Sequence, residues 1–221
     1  QIRRDVVWYR GKIETLRFRV LAQGLMDYGK DYYATQSVAG TDIVLGWNSD
    51  YGQTYRPLPG GANGTMSLPR KLFLRDGNVY TFPIAAVSTL EHDERFLTGT
   101  VRTDGSCHIR LDVSRDACYC LLLAESEQGA LSLSGSEGRT ELRIWQERLP
   151  LPDGEPVTQV DVYLDRSLVE IFLNGGSVAA TRRFRGETVT YPVRFTLSSG
   201  RGTAVLTEIG QTIKEKEHTD E

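Results

Sequence analysis

The chain has 221 residues, of which 39% are hydrophobic and 25% are charged, and its formal net charge is −3. This composition supports a buried core in one large or two small domains and excludes a disordered chain. Basic residues are spread along the sequence, so no nucleic-acid partner is expected. No apolar run approaches the roughly 20 residues of a membrane-spanning helix, so no membrane partner is expected either.

Short runs rich in β-branched and aromatic residues recur between Gly, Asn, Asp and Pro along most of the chain. This pattern is typical of strands, and it predicts an all-β fold without helices. The clearest runs lie at 42–47, 65–84, 97–102, 107–113, 118–124, 130–135, 140–146, 159–165, 168–184, 191–199 and 203–210.

Two tight hairpin turns are predicted inside these runs. "RDGN" (75–78) and "LNGG" (173–176) place Asp-Gly and Asn-Gly between apolar runs. Both pairs favour a type I′ turn, which requires positive φ at its central residues.

The strand rhythm is interrupted near residues 85 to 92, which predicts a domain boundary there. Five to seven strands precede it, enough for one propeller blade and the end of another but too few for a closed propeller. About ten strands follow it and fit one β-sandwich. We therefore expect domains at 1–87 and 88–212, with a flexible polar tail at 213–221.

The three cysteines, Cys107, Cys118 and Cys120, are an odd number and make a poor disulfide framework. They are interpreted as buried free thiols, which leans slightly towards a reducing, cytoplasmic location. The three histidines are scattered and show no ligand spacing, so neither a metal nor another cofactor is expected.

The stretch "DYGKDYYATQ" (27–36) combines two acids, a lysine and three tyrosines. Carboxylates suit the hydroxyls of a sugar, and a flat ring suits its C–H bonds. This segment is therefore the candidate binding site.

Four motifs in order resemble glycoside hydrolase family 32, the family of invertases, levanases, inulinases and sucrose-6-phosphate hydrolases. They are "DYGKDYYATQS" (27–37), "LGW" (45–47), "GTMSLPRKLFL" (64–74) and "LDRSLVEIFLNGG" (164–176). The family's enzymes join a five-bladed β-propeller to a C-terminal β-sandwich. The resemblance implies that 1–87 is a remnant of blade four with blade five, and that the sandwich follows.

The resemblance also implies a function and a set of substrate-binding residues. The parent activity would be retaining β-fructofuranosidase hydrolysis of sucrose or a fructan-type sugar. Asp27, Lys30 and Asp31 would position the sugar at the pocket rim, and Trp47 would offer it a ring face. The alternative for these residues is structural, with polar groups anchoring the blade and Trp47 packed in its core.

The family's catalytic motifs are absent from the chain. Its nucleophile lies in W-x-N-D-P-N-G, its transition-state stabiliser in R-D-P and its acid/base in E-C, and none of these occurs here. An acid pair made of Asp27 and Asp31 is disfavoured, because Lys30 between them would favour two ionised carboxylates. We therefore expect no catalytic residue in this chain and no activity of the chain alone.

Two further charged residues are interpreted as structural. Both faces of "LVEIFL" (168–173) are apolar around Glu170, so this acid would be buried and satisfied by partners, at the interface between propeller and sandwich. Arg70 would bury its stem and pair with a carboxylate.

Two alternative functions stay open from the sequence. The sandwich could be a non-catalytic carbohydrate-binding module. The chain could instead be half of a split enzyme, completed by the missing N-terminal propeller part or by a second copy, because a lone blade leaves an unpaired strand edge.

Overall fold

The computed structural model describes residues 5–48, 64–152, 155–184 and 188–210. These residues form an all-β structure with a single 3-10 helix in the described ranges, as the strand pattern predicted. The expected flexible tail, 213–221, lies outside the described residues. Among the described residues, no helix has the length and apolarity needed to cross a membrane.

The N-terminal part contains an isolated hairpin, β1–β2, and a five-stranded antiparallel sheet of order β3-β4-β6-β7, in which β5 also pairs with β4. We call the latter the N-terminal sheet. The bounds are β1 Val7–Glu14, β2 Arg17–Leu25, β3 Tyr32–Ser37, β4 Ile43–Asn48, β5 Thr65–Met66, β6 Arg70–Arg75 and β7 Asn78–Pro83.

A 3-10 helix, Ala85–Leu90, follows β7 and lies where the strand pattern is interrupted in the sequence. The remaining strands form two six-stranded antiparallel sheets. Their bounds are β8 Glu91–Phe96, β9 Val101–Arg102, β10 Ser106–Val113, β11 Cys118–Ser126, β12 Gly129–Ser136, β13 Arg139–Ile144, β14 Glu147–Pro150, β15 Gln159–Asp165, β16 Leu168–Leu173, β17 Val178–Arg183, β18 Pro192–Ser199 and β19 Gly202–Ile209.

The inner sheet has the order β17-β16-β15-β10-β19-β8, and the outer sheet has the order β14-β13-β12-β11-β18-β9. Both contribute alternate side chains to one hydrophobic core, for example Ile109 and Ile171 from the inner sheet and Leu121 and Leu133 from the outer one. Alternation along each strand directs every second residue into this core.

The inner sheet is buried on its second face as well. Tyr163, Phe172 and Ala179 on that face pack with Val87 of the 3-10 helix and with residues of the N-terminal part, including Phe82. Every residue of β16 is consequently buried, which explains why "LVEIFL" has apolar residues on both faces of the strand. The inner sheet thus lies between the N-terminal sheet and the outer sheet.

The two predicted turns differ in the structure. Asp76 and Gly77 both have positive φ, 50° and 78°, in a two-residue turn, which confirms the type I′ hairpin. At the second turn, Asn174 and Gly175 have the predicted positive φ, 46° and 66°, but the loop is longer than a type I′ turn, because four residues (174–177) separate Leu173 from its partner Val178. The longer loop places the Asn174 amide oxygen within hydrogen-bond distance of the backbone N–H of Thr158, at 3.0 Å.

Candidate functional site

The first half of the candidate segment runs along β17, the edge strand of the inner sheet. The backbone N–H of Tyr28 donates to the carbonyl of Ala179 at 2.8 Å, and that of Asp31 donates to the carbonyl of Thr181 at 3.4 Å. Gly29 makes this approach possible, because a Cβ there would lie only 2.0 Å from the Thr181 carbonyl oxygen. The segment therefore covers an edge that would otherwise present unpaired backbone groups.

Asp27 is buried, and its side chain accepts four hydrogen bonds. Oδ1 accepts from the backbone N–H of Gly29 and of Thr181, both at 2.8 Å. Oδ2 accepts from the Thr181 hydroxyl at 2.6 Å and from Arg70 Nη1 at 2.9 Å. A carboxylate offers about four acceptor positions, so these donors occupy its capacity. This placement favours the anchoring alternative for Asp27 over contact with a sugar hydroxyl.

Arg70, at the start of β6, is fully buried and joins Asp27 to Glu170 on β16. Its Nη2 donates to Glu170 Oε2 at 2.5 Å, and its Nε donates to the same oxygen at 3.1 Å. The other Glu170 oxygen accepts the backbone N–H of Leu68 at 2.7 Å. The structural interpretations of Arg70 and Glu170 agree with this geometry. We call Asp27, Arg70, Glu170 and Thr181 the buried ion cluster.

The charged groups in this cluster shift one another's pKa. Burial alone would lower the pKa of Arg70, but the Glu170 and Asp27 carboxylates raise it well above its ordinary value. Burial raises the pKa of Glu170, and the Arg70 guanidinium opposes this rise without cancelling it. The rings of Tyr32 and Phe172 flank the guanidinium, with their centroids 4.4 and 4.8 Å from its central carbon. The arginine is therefore a permanent cation in an apolar shell, with its donors directed at two acids.

Lys30 and Asp31 lie closer to solvent and contact the two six-stranded sheets. Lys30 Nζ is 3.2 Å from Glu147 Oε1, and both side chains are about half exposed. Glu147 also accepts from Arg182 Nη2 at 2.5 Å. Asp31 Oδ2 accepts the backbone N–H of Arg183 at 2.8 Å and lies 3.6 Å from Arg182 Nε. An exposed pair such as Lys30–Glu147 contributes little to stability, about 0–1 kcal/mol.

Trp47 lies on β4, opposite Tyr33 of β3 and Met66 of β5. Its side chain is half-buried, and its indole nitrogen would be 2.5 Å from a Cβ placed on Gly64, so the ring packs closely against that glycine. The structure brings Asp27, Lys30 and Asp31 together beside β17, whereas Trp47 lies one strand inside the N-terminal sheet. Its role as a sugar platform stays a prediction.

The sequence did not identify Thr181, Glu147 or Arg182, all of which contact the candidate segment. Thr181 carries no motif, and its hydroxyl joins the cluster only because β17 borders the segment. The described residues contain no group of three or more His, Cys, Asp and Glu side chains that could hold a metal ion.

Two family models match the chain in sequence. Residues 4–83 match the N-terminal domain of the glycosyl hydrolases family 32, and residues 106–211 match the C-terminal domain of that family. The chain therefore belongs to glycosyl hydrolase family 32, which confirms the resemblance carried by the four motifs.

Curated relatives and solved structures agree with this assignment. A sucrose-6-phosphate hydrolase of Vibrio alginolyticus is 29% identical over 72% of this chain and 35% of its own length. A raffinose invertase of Escherichia coli is 27% identical over 83% of this chain and 42% of its own length. A glycoside hydrolase family 32 structure from Bifidobacterium adolescentis is 27% identical and superposes with a TM-score of 0.69 over 94% of this chain and 35% of its own.

A Bombyx mori family 32 β-fructofuranosidase has a TM-score of 0.75 at 20% identity, which shows a shared fold. It covers 94% of this chain and 47% of its own length. The chain thus spans between about a third and a half of the relatives it matches.

Proposed function

We propose that the chain is the C-terminal part of a retaining β-fructofuranosidase-type glycoside hydrolase that acts on sucrose or fructan-type sugars. In this proposal, the N-terminal part is the end of a five-bladed propeller, and the inner and outer sheets form the β-sandwich. The names of the relatives support the substrate class, since they include sucrose-6-phosphate hydrolases and a raffinose invertase. The expected boundaries of 1–87 and 88–212 are compatible with the sheets on either side of the 3-10 helix.

The chain's own role is to supply scaffold and pocket rim, without the catalytic acids. A retaining glycosidase needs a nucleophile and an acid/base whose carboxyl groups are about 5–5.5 Å apart. The hydrogen bonding of the Asp27 carboxylate is the single observation that carries this proposal. Its oxygens accept hydrogen bonds from Gly29, Thr181 and Arg70, so no lone pair is left for attack on a sugar or for carrying an acid proton towards one.

The rim itself is proposed from Lys30, Asp31 and Trp47, with Asp27 fixing the backbone that carries the first two. Lys30 is about half exposed and has φ +76°, an uncommon conformation that the docked segment holds in place. An ammonium group in this position can donate to sugar hydroxyls after leaving Glu147. Lys30 would break only an exposed salt bridge to Glu147, so exchanging this carboxylate for a sugar hydroxyl costs little free energy.

A partner is proposed from the hairpin β1–β2. Within the described part of the chain, no further strand pairs with either of its edges, and a two-stranded hairpin alone is marginally stable in water. Several of its large apolar side chains are exposed: Val7, Tyr9, Ile13, Leu16, Phe18, Val20 and Leu21. Such an edge fits a polypeptide that adds strands to it, either the missing N-terminal propeller part or a second copy of the chain.

The charge of the hairpin favours the first of these partners. Residues 7–25 contain four basic side chains (Arg10, Lys12, Arg17 and Arg19) and one acidic one (Glu14). Symmetrical edge-to-edge pairing of two copies would bring like charges together, which is destabilising. A different strand with acidic residues would not meet this repulsion.

The test is an assay of sucrose, sucrose 6-phosphate and inulin hydrolysis, on material whose mass is checked by native mass spectrometry. We expect a mass of 24.7 kDa or a multiple of it, with no turnover. Turnover by the pure chain would overturn the scaffold proposal. Activity confined to a heavier complex that contains a second polypeptide would support the split-enzyme form.

Calorimetric titration of fructo-oligosaccharides into the same chain distinguishes the carbohydrate-binding alternative from the rim proposal. Heat of binding that persists in a Lys30→Ala, Trp47→Ala double variant would place the sugar on the six-stranded sheets. Heat that disappears in this variant would place it on the proposed rim.

A further inference from the structure

The N-terminal part covers the second face of the inner sheet around Tyr163 and Phe172, but the corner where β10 ends and β19 begins is open. Asp112 of β10 and Thr203 of β19 are cross-strand partners there, and both are exposed. Gln159, the first residue of β15, pairs with Asp112 from the other side and is half-buried. Because paired residues of antiparallel strands share a face, these three residues form one polar row across three strands.

A shallow, solvent-facing cleft of about 610 Å³ lies along this polar row. Ser114, Thr158 and Arg201 line it together with the row, and Val113 and Gly202 complete the lining. We call this the corner cleft. Its volume is within the range of small-molecule sites, roughly 300–1,000 Å³. Hydroxyl, carboxylate, amide and guanidinium groups therefore border a space large enough for a small polar ligand.

The backbone segments around the corner cleft are hydrogen-bonded to one another. The backbone N–H of Val113 donates to the carbonyl of Thr158 at 2.9 Å, and that of Ser114 donates to the carbonyl of Arg201 at 2.8 Å. The backbone N–H of Arg201 donates back to the Ser114 hydroxyl at 2.9 Å. The Asn174 amide oxygen also holds the backbone N–H of Thr158. The cleft is therefore formed before a ligand arrives, which lowers the cost of ordering on binding.

The two charged side chains of the corner cleft have opposite signs but do not pair. Within the described part of the chain, the Asp112 carboxylate, the Arg201 guanidinium and the Gln159 amide form no hydrogen bond or ion pair with another residue. Asp116 interacts with Arg201 through its charge but is not part of the cleft lining. The cleft thus offers a free acceptor, a free donor and an amide that is both. The opposite charges of Asp112 and Arg201 favour a neutral ligand over a phosphate or a metal ion.

An exposed aromatic ring lies in the next row on the same face. Phe96, the last residue of β8, pairs with Val205 of β19, which pairs in turn with Arg110 of β10. Val205 is two residues from Thr203, so this row is adjacent to the polar row. Phe96 is 66% exposed, and the charge of Arg110 is compensated by Asp161, whose Oδ1 lies 3.7 Å from Arg110 Nε. The corner therefore combines an apolar ring with free polar groups, which is the chemistry that suits the C–H face and the hydroxyls of a sugar.

We propose that the corner cleft is a second carbohydrate site, which binds a neutral oligosaccharide apart from the rim. Sugar hydroxyls donate to the Asp112 carboxylate and accept from Arg201 and the Gln159 amide, and a neighbouring sugar unit lies against Phe96. The site does not overlap the rim, because Lys30 and its partners lie at β14 and β17, whereas the cleft lies on β15, β10 and β19. A site of this kind holds a long substrate on the protein and raises its effective concentration at the rim. The choice of a fructan as the first probe rests on the proposed function, and the cleft itself does not.

The test is an NMR titration of the full, nitrogen-15-labelled chain with two probes, an inulin-type fructo-oligosaccharide and a gluco-oligosaccharide of the same length. We expect the fructo-oligosaccharide to shift the backbone amides of residues 112–114, 158–159 and 201–203. Shifts of these amides with the gluco-oligosaccharide alone would support the corner cleft and speak against the fructan activity of the proposed function. No shift with either probe up to its solubility limit, or shifts confined to the surroundings of Lys30 and Trp47, would overturn the proposal.

An Asp112→Ala, Arg201→Ala double variant keeps the net charge of the chain and should weaken binding at the cleft by about tenfold. The matched control is Asp42→Ala, Lys71→Ala, which also removes one acid and one base, from an exposed pair on the N-terminal sheet, and should bind as the wild type does. Phe96→Ala, on a different strand, should weaken binding as well, and it keeps the test open if the first double variant fails to fold. Wild-type affinity in the cleft variants that fold would overturn the proposal.

Discussion

Arg70 and Glu170 are 100 residues apart in the chain, yet the guanidinium of one donates two hydrogen bonds to a single carboxylate oxygen of the other, with both side chains almost entirely buried. This pair joins the first strand of a hairpin in the N-terminal sheet to β16, the strand next to the β17 edge of the inner sheet. It fixes the relation between the two parts of the chain, as well as the register of the segment that carries Lys30 and Asp31.

Removal of one partner of this pair should be strongly destabilising. Glu170→Ala leaves the Arg70 cation buried with one acid fewer, and breaking a buried pair in this way costs about 3–5 kcal/mol. Urea unfolding monitored by tryptophan fluorescence measures the loss. The matched control is Asp42→Ala, which removes the partner of Lys71 from an exposed pair and should cost less than about 1 kcal/mol. Equal losses for the two variants would show that the buried ion cluster does not hold the parts together.

Gly29→Ala should detach the candidate segment from β17. The new methyl group would lie 2.0–2.4 Å from backbone atoms of Thr181, which cannot move without disturbing the sheet. We expect a loss of roughly 1–3 kcal/mol in the free energy of unfolding, with faster amide exchange along β17. Gly99→Ala is the control, since nothing lies within 4 Å of its added Cβ. Unchanged exchange at Thr181 in Gly29→Ala would contradict the docking.

Stability should decline at alkaline pH, in part through Cys107. Burial, with the Glu208 carboxylate, raises the pKa of this thiol from 9.0 to about 12. A raised folded-state pKa gives a contribution that is complete below pH 9.0 and is lost as the pH rises towards about 12. The difference in unfolding free energy between wild type and Cys107→Ala should therefore narrow over this window, by up to about 4 kcal/mol.

Cys118→Ala is the control for that measurement. Hydrogen bonds from Ser199 and Ser136 lower the pKa of the half-buried Cys118 thiol, so the difference in unfolding free energy between wild type and Cys118→Ala should not narrow. A wild-type curve parallel to that of Cys107→Ala up to pH 12 would show that the Cys107 thiol ionises as readily in the folded chain as in the unfolded one.

The hairpin β1–β2 should govern association of the chain. Replacing Phe18 and Val20, both about half exposed, with lysine removes apolar surface without disturbing a core. We expect reduced self-association or partner capture, measured by sedimentation velocity, with little change in thermal stability. Phe96→Lys is the control, because Phe96 is 66% exposed but lies on β8. Association that survives the double change and falls with Phe96→Lys would place the interface at the β8 edge of the inner sheet instead.

The sequence predicted the strands well, because alternation and turn residues are local signals. Asp76 and Gly77 formed the expected type I′ turn, whereas the loop after Leu173 has four residues and its Asn174 accepts a hydrogen bond from the backbone N–H of Thr158. The burial of Glu170 was predictable because the residues on both faces of its strand are apolar. Its partner was not, since no local pattern reports a contact across 100 residues.

Asp27 shows the corresponding limit for the site. Its motif indicates a polar, sugar-compatible segment, but the sequence cannot say that β17 passes alongside and supplies two donors from Thr181. The contacts of Glu147 with Lys30 and of Arg182 with Asp31 could not be predicted either, because they depend on how the sheets pack.

The burial of β16 on both sides bears on how the molecule can be divided. A cut after residue 87 would uncover Tyr163, Phe172 and Glu170 on the piece that keeps the inner sheet. On the other piece, Arg70 would lose the carboxylate of Glu170. Each piece would then expose apolar surface, and the larger one would expose the Glu170 carboxyl group within an apolar patch. The two parts are separate in the pattern of strands but share a buried layer, so any exchange of one part without the other would have to replace the facing layer as well.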